Sequence, residues 1–487
     1  MHRLAVAAGA LIVVSTLAAA GHAQESDVEI NAQPAPPPSA SADASAAPSS
    51  VSPEIEARLR ALEEKAAAAP AVTPPPPSPP SDAATVRVER EPSLVGGVTG
   101  PLGLVFSGYV QAQYENSQAS EDQLQQGGTP LNLDRFSIRR ARLRVDRAWQ
   151  WASTTLEIDG NTVRGPTFGL RRAEASLVYR NPDREAPPYA RLTAGLSEIP
   201  FGYEMTDSAR SRYFMERSLG SLALFPGEPD LGVRLSGGLS FFRYALAVVN
   251  GEPIDDRPGR FTRDPNAAKD IVGRLGVDTR ARDDLRVSGG VSFLTGKGFH
   301  AGRDATKNGT LWRDLNENGA IDAGELTAVP ATAAVPSQNF SRWAVGADLQ
   351  FLLETALGRS RLYGEVFLAQ NADRGYAVAD PILSGNDARE VGFYVAYLQE
   401  ITKYAIVGFR TDHYDPNADA FDKRGGRLVP FDQSIHTYSP IVGAMLPDRV
   451  RILFQYDAIV DSLARDAQGV PTDLKNDQFT IRIQGEL

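Results

Sequence analysis

The sequence predicts an all-β fold, a transmembrane antiparallel β-barrel of about 16 strands. Three observations lead to it. Charged and apolar residues alternate with a period of two, the segments that alternate are joined by connections of unequal length, and no apolar run after the N-terminus reaches the roughly 18 residues of a membrane helix. Together they favour strands with one face towards lipid and the other towards an aqueous lumen.

The clearest alternation lies in the stretch Leu133–Asp159. Arg140, Arg142 and Arg144 are each followed by an apolar residue. Because side chains of a strand point to opposite faces in turn, one face carries only guanidinium groups and the other only hydrocarbon. A soluble sandwich would rarely expose a ladder of one charge, so a barrel wall explains the pattern better.

Similar short segments recur from Leu104 to the end of the chain, which gives roughly sixteen strands. The expected strands are 104–115, the two strands of the hairpin 136–159, 168–179, 189–198, 231–239, 241–250, 271–279, 285–294, 340–351, 361–370, 391–400, 404–415, 435–446, 450–461 and 478–487. Short connections such as Asp146–Trp149 alternate with long ones such as Glu204–Asp230. In outer-membrane barrels the short turns lie in the periplasm and the long loops outside the cell.

Composition excludes several classes of function. The chain has 487 residues, no cysteine and a formal charge of -10. Disulfides, thiolate metal sites and a cysteine nucleophile are therefore excluded, and wholesale nucleic-acid binding is not expected.

The N-terminal part differs from the barrel segment. Residues 1–23 have the basic start, apolar run and small residues of a cleaved signal peptide. Residues 24–101 form an Ala/Pro-rich arm, expected to be disordered in the periplasm, with one short helix at about 53–68. Residues 102–487 are expected to form the barrel, in the outer membrane of a Gram-negative bacterium.

Four stretches resemble the phosphate-selective porin O and P family: Gly108–Tyr114, Arg135–Val145, Ile199–Glu204, and Phe214–Ser218 followed by Pro226–Gly237. The resemblance implies a sixteen-stranded homotrimeric channel that passes small anions such as phosphate or polyphosphate. It also implies insertion by the barrel assembly machinery, which reads the last strand. Here that strand ends at Leu487, where such barrels usually have an aromatic residue.

In that family a long loop folds into the lumen, and here the corresponding loop is Glu204–Asp230. The arginines of this loop and of the inner wall are expected to form an anion pathway, because guanidinium groups match phosphate oxygens. The candidates are Arg140, Arg142, Arg144, Arg172, Arg210, Arg212, Arg217 and Arg234. The alternative is that these arginines pair with acidic residues such as Glu157, Asp159 and Glu174 and only stiffen the wall.

A second motif lies in a predicted loop. Residues 314–325 fit the twelve-residue calcium loop D-x-[DN]-x-[DN]-G-x5-E. The ligands would be Asp314, Asn316, Asn318, the backbone carbonyl of Ala320, Asp322 and Glu325. The alternative is an ordinary surface loop rich in Asp, Asn and Gly.

Two other functions compete with an anion porin. One is a general-diffusion porin whose Pro-rich arm tethers the barrel to the cell wall. The other, an outer-membrane enzyme, is not expected, because the sequence contains no G-x-S-x-G motif and no clear histidine-based constellation. No catalytic residue is therefore assigned.

Overall fold

The computed structural model describes Val98–Thr99 and residues 103–487, apart from 126–127, 184–185, 228, 253–263, 323, 425, 447–448, 462 and 466–470. The predicted signal peptide, the helix at 53–68 and nearly all of the arm lie outside the described residues. Val98–Thr99 pairs antiparallel with the first barrel strand.

Sixteen strands form one closed antiparallel sheet, which confirms the predicted barrel. They are β1 (Val105–Ser117), β2 (Arg135–Ala148), β3 (Ala152–Asn161), β4 (Thr167–Tyr179), β5 (Ala190–Glu198), β6 (Pro229–Leu239), β7 (Phe242–Val249), β8 (Asp270–Arg282), β9 (Leu285–His300), β10 (Gln338–Thr355), β11 (Gly358–Gln370), β12 (Arg389–Ile401), β13 (Ala405–Asp415), β14 (Ile435–Leu446), β15 (Val450–Asp461) and β16 (Gln478–Glu486). Each strand pairs with its neighbours in sequence, and β16 pairs with β1, where Tyr109 lies opposite Glu486. Closure leaves no open edge in the sheet.

The alternation seen in the sequence decides which face each side chain takes. On β6, Leu231 and Val233 are exposed on the outside, while Arg234 and Ser236 are buried on the inside. The outer face therefore carries exposed hydrocarbon, and the polar groups lie in the interior. This is the arrangement of a barrel whose outer surface contacts lipid.

The two rims differ as predicted. Very short turns, such as 240–241, 283–284 and 356–357, join strands at one rim. Long connections, such as 301–337 and 371–388, lie at the other. One connection on the long-loop rim, 162–166 between β3 and β4, is itself short, so the alternation is not uniform.

Two short helices are described, α1 (Leu219–Leu224) and α2 (Pro381–Ser384). Among the described residues, no helix combines the length and the apolar character needed to span a membrane.

The connection between β5 and β6, residues 199–227 and here called the inner loop, folds into the barrel. It begins earlier than the predicted Glu204, and Asp230 belongs to β6. The loop is apolar enough to form a core with inward-facing wall residues. Members of this core include Ile199, Phe201, Leu224, Phe225, Val249, Leu294, Phe367 and Tyr414. Burial of this apolar surface explains why a segment between two strands leaves the rim and occupies the lumen.

Candidate solute pathway

The first anchor of the inner loop lies near its N-terminal end. Gly202 has φ +61, and its amide donates to Ser292 on β9 at 3.0 Å. The carboxylate of Glu365 on β11 accepts from the amide of Tyr203 at 3.1 Å. A Cβ atom at position 202 would collide with the same carboxylate. Glycine is therefore required at position 202 for two reasons: the backbone is left-handed, and the side chain of Glu365 on the wall approaches closely.

A second anchor joins the two halves of the loop to β13. Glu204 accepts from the amide and the hydroxyl of Ser218, both at 2.7 Å, and lies 3.4 Å from Arg410. Asp412 accepts from the amide of Leu219, the first residue of α1, at 2.6 Å. Because Glu204, Arg410 and Asp412 are all buried, these contacts fix the loop strongly in place.

An unequal charge cluster surrounds Glu216 in the inner loop. Its carboxylate lies 2.8 Å from Arg139, 2.7 Å from Arg140 and 3.0 Å from Arg482. Burial by itself raises the pKa of Glu216, but the three guanidinium groups outweigh it and hold that pKa well below its usual range. One negative charge faces three positive charges, so the cluster keeps an excess of positive charge.

Solvent reaches this cluster. The side chain of Glu216 is 28% exposed and that of Arg139 is 24% exposed, whereas Arg140 and Arg482 are nearly buried. A small anion in the lumen could therefore approach Arg139 without displacing the buried contacts.

Sequence reasoning found Arg140 but missed Arg139 and Arg482. Strict alternation places Arg139 on the outer face, yet the pairing of β1 with β2 shifts register between Gln111 and Ala112. This irregularity lets two consecutive arginines both turn inward. The Arg-Arg doublet in an otherwise alternating strand was the signal that could have predicted it.

The predicted arginines of β2 and β4 lie beside acidic residues on the same or the neighbouring strand. Arg142 is 3.1 Å from Asp159, and Arg144 is 2.7 Å from Asp146. Glu157 lies between these two arginines, at 3.6 and 3.9 Å. A similar set surrounds another predicted residue: Arg172 contacts Glu174 and Glu198. Along this part of the wall, here called the ladder, each of these three arginines lies beside two carboxylates, so its positive charge is offset.

The remaining predicted arginines contact the backbone as well as acids. Arg212 and Arg217 donate to the carbonyl oxygens of Asp207 and Phe225, at 2.8 and 2.7 Å. Two more have partners on the wall: Arg210 lies 2.7 Å from Glu486, and Arg234 donates to the carbonyl of Glu198 at 3.0 Å. All eight candidates thus lie in the barrel interior, and each has a described acceptor.

Tyr213 of the inner loop brings together two arginines that the sequence did not single out. Arg361 lies on β11 and Arg451 on β15, each 5.4 Å from the centre of the Tyr213 ring. Arg451 also donates to Gln484 at 2.6 Å. The ring and the amide are neutral, but Arg361 also lies 3.3 Å from the carboxylate of Glu400, which offsets its charge.

The predicted calcium loop lies outside the barrel, in the connection 301–337. A small hairpin of Gly309–Trp312 and Leu326–Val329 frames it. Gly319 has φ +69, as the sharp turn requires. The carboxylate of Asp314 accepts from the backbone amides of Asn318 at 3.2 Å and Gly319 at 2.7 Å.

The other predicted ligands hydrogen-bond to one another. The carboxylate of Asp322 accepts from the side-chain amides of Asn316 and Asn318 at 2.8 and 3.0 Å. The carboxylate of Glu325 accepts from the Trp312 indole at 3.0 Å. Donation from these groups lowers the pKa of Asp322 and of Glu325. Within the described part of the chain, no three His, Cys, Asp or Glu side chains are grouped as metal ligands. Calcium binding therefore stays a prediction.

Comparison with known proteins gave matches only among solved structures. No family model matches the chain, and none of the curated proteins matches it. OmpT of Vibrio cholerae is 11% identical over 79% of this chain and 99% of that chain, with a TM-score of 0.44. The anion-selective porin of Comamonas acidovorans has the same identity, coverage and TM-score. OprB of Pseudomonas putida is 12% identical over 79% of this chain and 94% of that chain, with a TM-score of 0.49.

Similarities of this size carry no conclusion about function. The resemblance to phosphate-selective porins therefore stays a prediction. What the molecule itself establishes is a closed barrel of the outer-membrane type with an arginine-rich interior.

Proposed function

We propose that this chain is an outer-membrane porin that conducts small anions past its inner loop. The observation that carries the proposal is the cluster at Glu216, where three guanidinium groups share this carboxylate and solvent reaches Arg139 and Glu216. Low-dielectric walls focus the field of such an excess charge, so it raises the local concentration of anions.

The ladder contributes less to selectivity. Its arginines lie beside Asp146, Glu157 and Asp159, so their positive charge is offset at the distance of a passing ion. This part of the wall supports the alternative that arginines stiffen the barrel. We therefore place the selectivity at the inner loop and assign the ladder to the structure of the wall.

Phosphate is the anion that the chemistry favours most. A guanidinium group is always charged and offers a planar set of donors that matches phosphate oxygens. Moderate binding at successive arginines would let the ion enter and also leave. The competing proposal is a general-diffusion porin with a tethering arm, which would pass chloride and phosphate without preference.

Planar-bilayer recording of the purified protein tests both proposals. In a potassium chloride gradient, we expect a reversal potential that shows chloride preference, and phosphate should reduce the chloride current. Replacing Arg139 and Arg482 by glutamine should weaken both effects. Replacing Arg282, which is exposed at the rim, should change neither.

The possible outcomes separate the proposals. Cation preference, or no conductance at all, would contradict the anion porin. If the pore prefers chloride but phosphate does not change the chloride current, the proposal of phosphate binding is refuted. An anion porin without phosphate specificity would then remain.

We further propose that the barrel assembles as a homotrimer after insertion by the barrel assembly machinery, with its exposed outer face against lipid. The apolar residues of that face, such as Leu231 and Val233, support contact with lipid or with a second copy. Native mass spectrometry in detergent should show three copies, and a purely monomeric species would contradict the trimer.

Separately, we propose that calcium binds to the connection 301–337 and orders it. The motif at 314–325 supplies hard oxygen ligands, and two neutral asparagines suggest an affinity on the order of 10⁻⁴ M. Terbium bound there should luminesce when the nearby Trp312 is excited, and replacing Asp314 and Glu325 by alanine should abolish the signal. Equal luminescence from the double variant would refute the site.

A further inference from the structure

Two histidines interrupt an apolar row on the outer face of the barrel. Across neighbouring strands, this row runs through Val366, Phe393, His413, His436 and Val460, each directly opposite the next. Val366, Phe393 and Val460 are exposed apolar side chains. Imidazole groups are costly in such a setting unless something occupies their nitrogens.

The two imidazole rings are in contact. Their centres lie 4.5 Å apart with an angle of 45° between the ring planes, and the ring of Phe393 lies 5.0 Å from that of His413. The Nδ1 atom of His413 is buried and has no hydrogen-bond partner among the described residues. The pair therefore has an unused nitrogen beside a second imidazole.

The position of the pair is fixed by pairing of the sheet. His413 lies two residues before the end of β13, and His436 is the second residue of β14. The pair is thus at the long-loop end of the strands, where the apolar outer face meets water. Ions in water can reach this level of the barrel.

We propose that His413 and His436 form a binding site for a divalent late transition-metal ion, such as Cu²⁺ or Zn²⁺. Neutral imidazole is a favoured ligand of these ions, with metal–nitrogen distances near 2.0–2.1 Å for zinc. Because the ring centres lie 4.5 Å apart, one nitrogen of each ring can bind a shared ion. Since the described residues offer no third clustered ligand, water fills the remaining positions.

The site has a structural consequence separate from conduction. His413 and His436 belong to strands that pair directly in the sheet, and the ion would add a side-chain cross-link at the end of that pairing. A ligand that binds the folded state alone raises its stability. Because both side chains face outward, ion binding should not change the current through the lumen.

Copper titration of the purified full-length barrel in detergent tests the proposal. We expect one Cu²⁺ with an electron paramagnetic resonance spectrum that shows two coupled imidazole nitrogens. H413Q and H436Q should each weaken binding by roughly tenfold or more, since loss of even an outer-shell partner can have that effect. H300Q is the matched control, because His300 instead contacts Asp380 at 2.6 Å.

Thermal unfolding gives a second readout. Copper should raise the unfolding temperature of the unmodified protein and of H300Q, but not that of H413Q. Protection of His413 and His436 from chemical modification by added copper, mapped by mass spectrometry, tests the site without any substitution. Equal copper affinity in H413Q, or no protection of these two histidines, would overturn the proposal.

Discussion

The ladder and the region that faces the inner loop use the same residue, arginine, with different results. In the ladder, Arg142 and Arg144 each lie near two carboxylates. At the inner loop, Glu216 lies within 3.0 Å of three guanidinium groups, and Arg212 and Arg217 donate to carbonyl oxygens.

This difference shows that a count of arginines does not give the field in a pore. Paired charges on neighbouring strands cancel at short range, whereas one carboxylate among several arginines leaves an excess. The inner loop also buries its anchors in the barrel core, so its charge pattern is tied to the stability of the fold.

The largest effect is expected from Glu204→Ala. This change removes the acceptor for Ser218 and leaves the buried Arg410 without its nearest described carboxylate. Breaking a buried pair costs about 3–5 kcal/mol in the free energy of unfolding. Glu157→Ala in the ladder should cost much less, because both arginines near Glu157 have a second carboxylate. Urea unfolding in detergent measures both, and equal losses would contradict the contrast.

A smaller effect is expected from Glu216→Gln. Removal of the carboxylate that Arg139, Arg140 and Arg482 contact makes the cluster more positive, so anion preference should increase. One charge at contact distance in water is worth about 1 kcal/mol, which corresponds to a roughly fivefold change in the permeability ratio. Reversal potentials measure the change, and a shift towards cations would refute the assignment.

The pH dependence of the unfolding free energy should report on the carboxylate of Glu216. The pKa of Glu216 in the folded protein is lowered well below its ordinary value by the three arginines, against the effect of burial. Stabilisation by its charge is therefore complete above the ordinary glutamate pKa of about 4.3 and is lost as pH falls below it towards the lowered value. The difference in unfolding free energy between the unmodified protein and Glu216→Gln should stay constant from pH 8 to about 5. A loss of that difference already above pH 5 would contradict the lowered pKa.

The smallest effect is expected from removal of a balanced pair. Arg144→Gln combined with Asp146→Asn deletes one positive and one negative charge 2.7 Å apart. The reversal potential should therefore remain unchanged, and stability should fall by only about 1 kcal/mol or less because the pair is partly hydrated. If this double variant changed selectivity as much as Glu216→Gln, the selectivity would have to be assigned to the ladder instead of the inner loop.

Local pattern was sufficient to predict the barrel. The alternation along β2 and β6 gave the correct inward and outward faces for Arg142, Arg234 and Leu231. The sequence pattern also predicted the approximate number of strands, and the connection lengths predicted a short-turn rim and a long-loop rim. It failed at Arg139, where a register shift overrides strict alternation.

The sequence by itself determined a closed sheet with polar groups inside, because a period of two sorts side chains by face regardless of what lies across the barrel. Only the tertiary structure decided which charges meet. Arg139 and Arg482 are far apart in the chain, and both reach Glu216 because the inner loop crosses the lumen. The pairing of His413 with His436 likewise depends on the register between β13 and β14. Contacts of this kind follow from long-range packing and register, which short stretches of sequence do not encode.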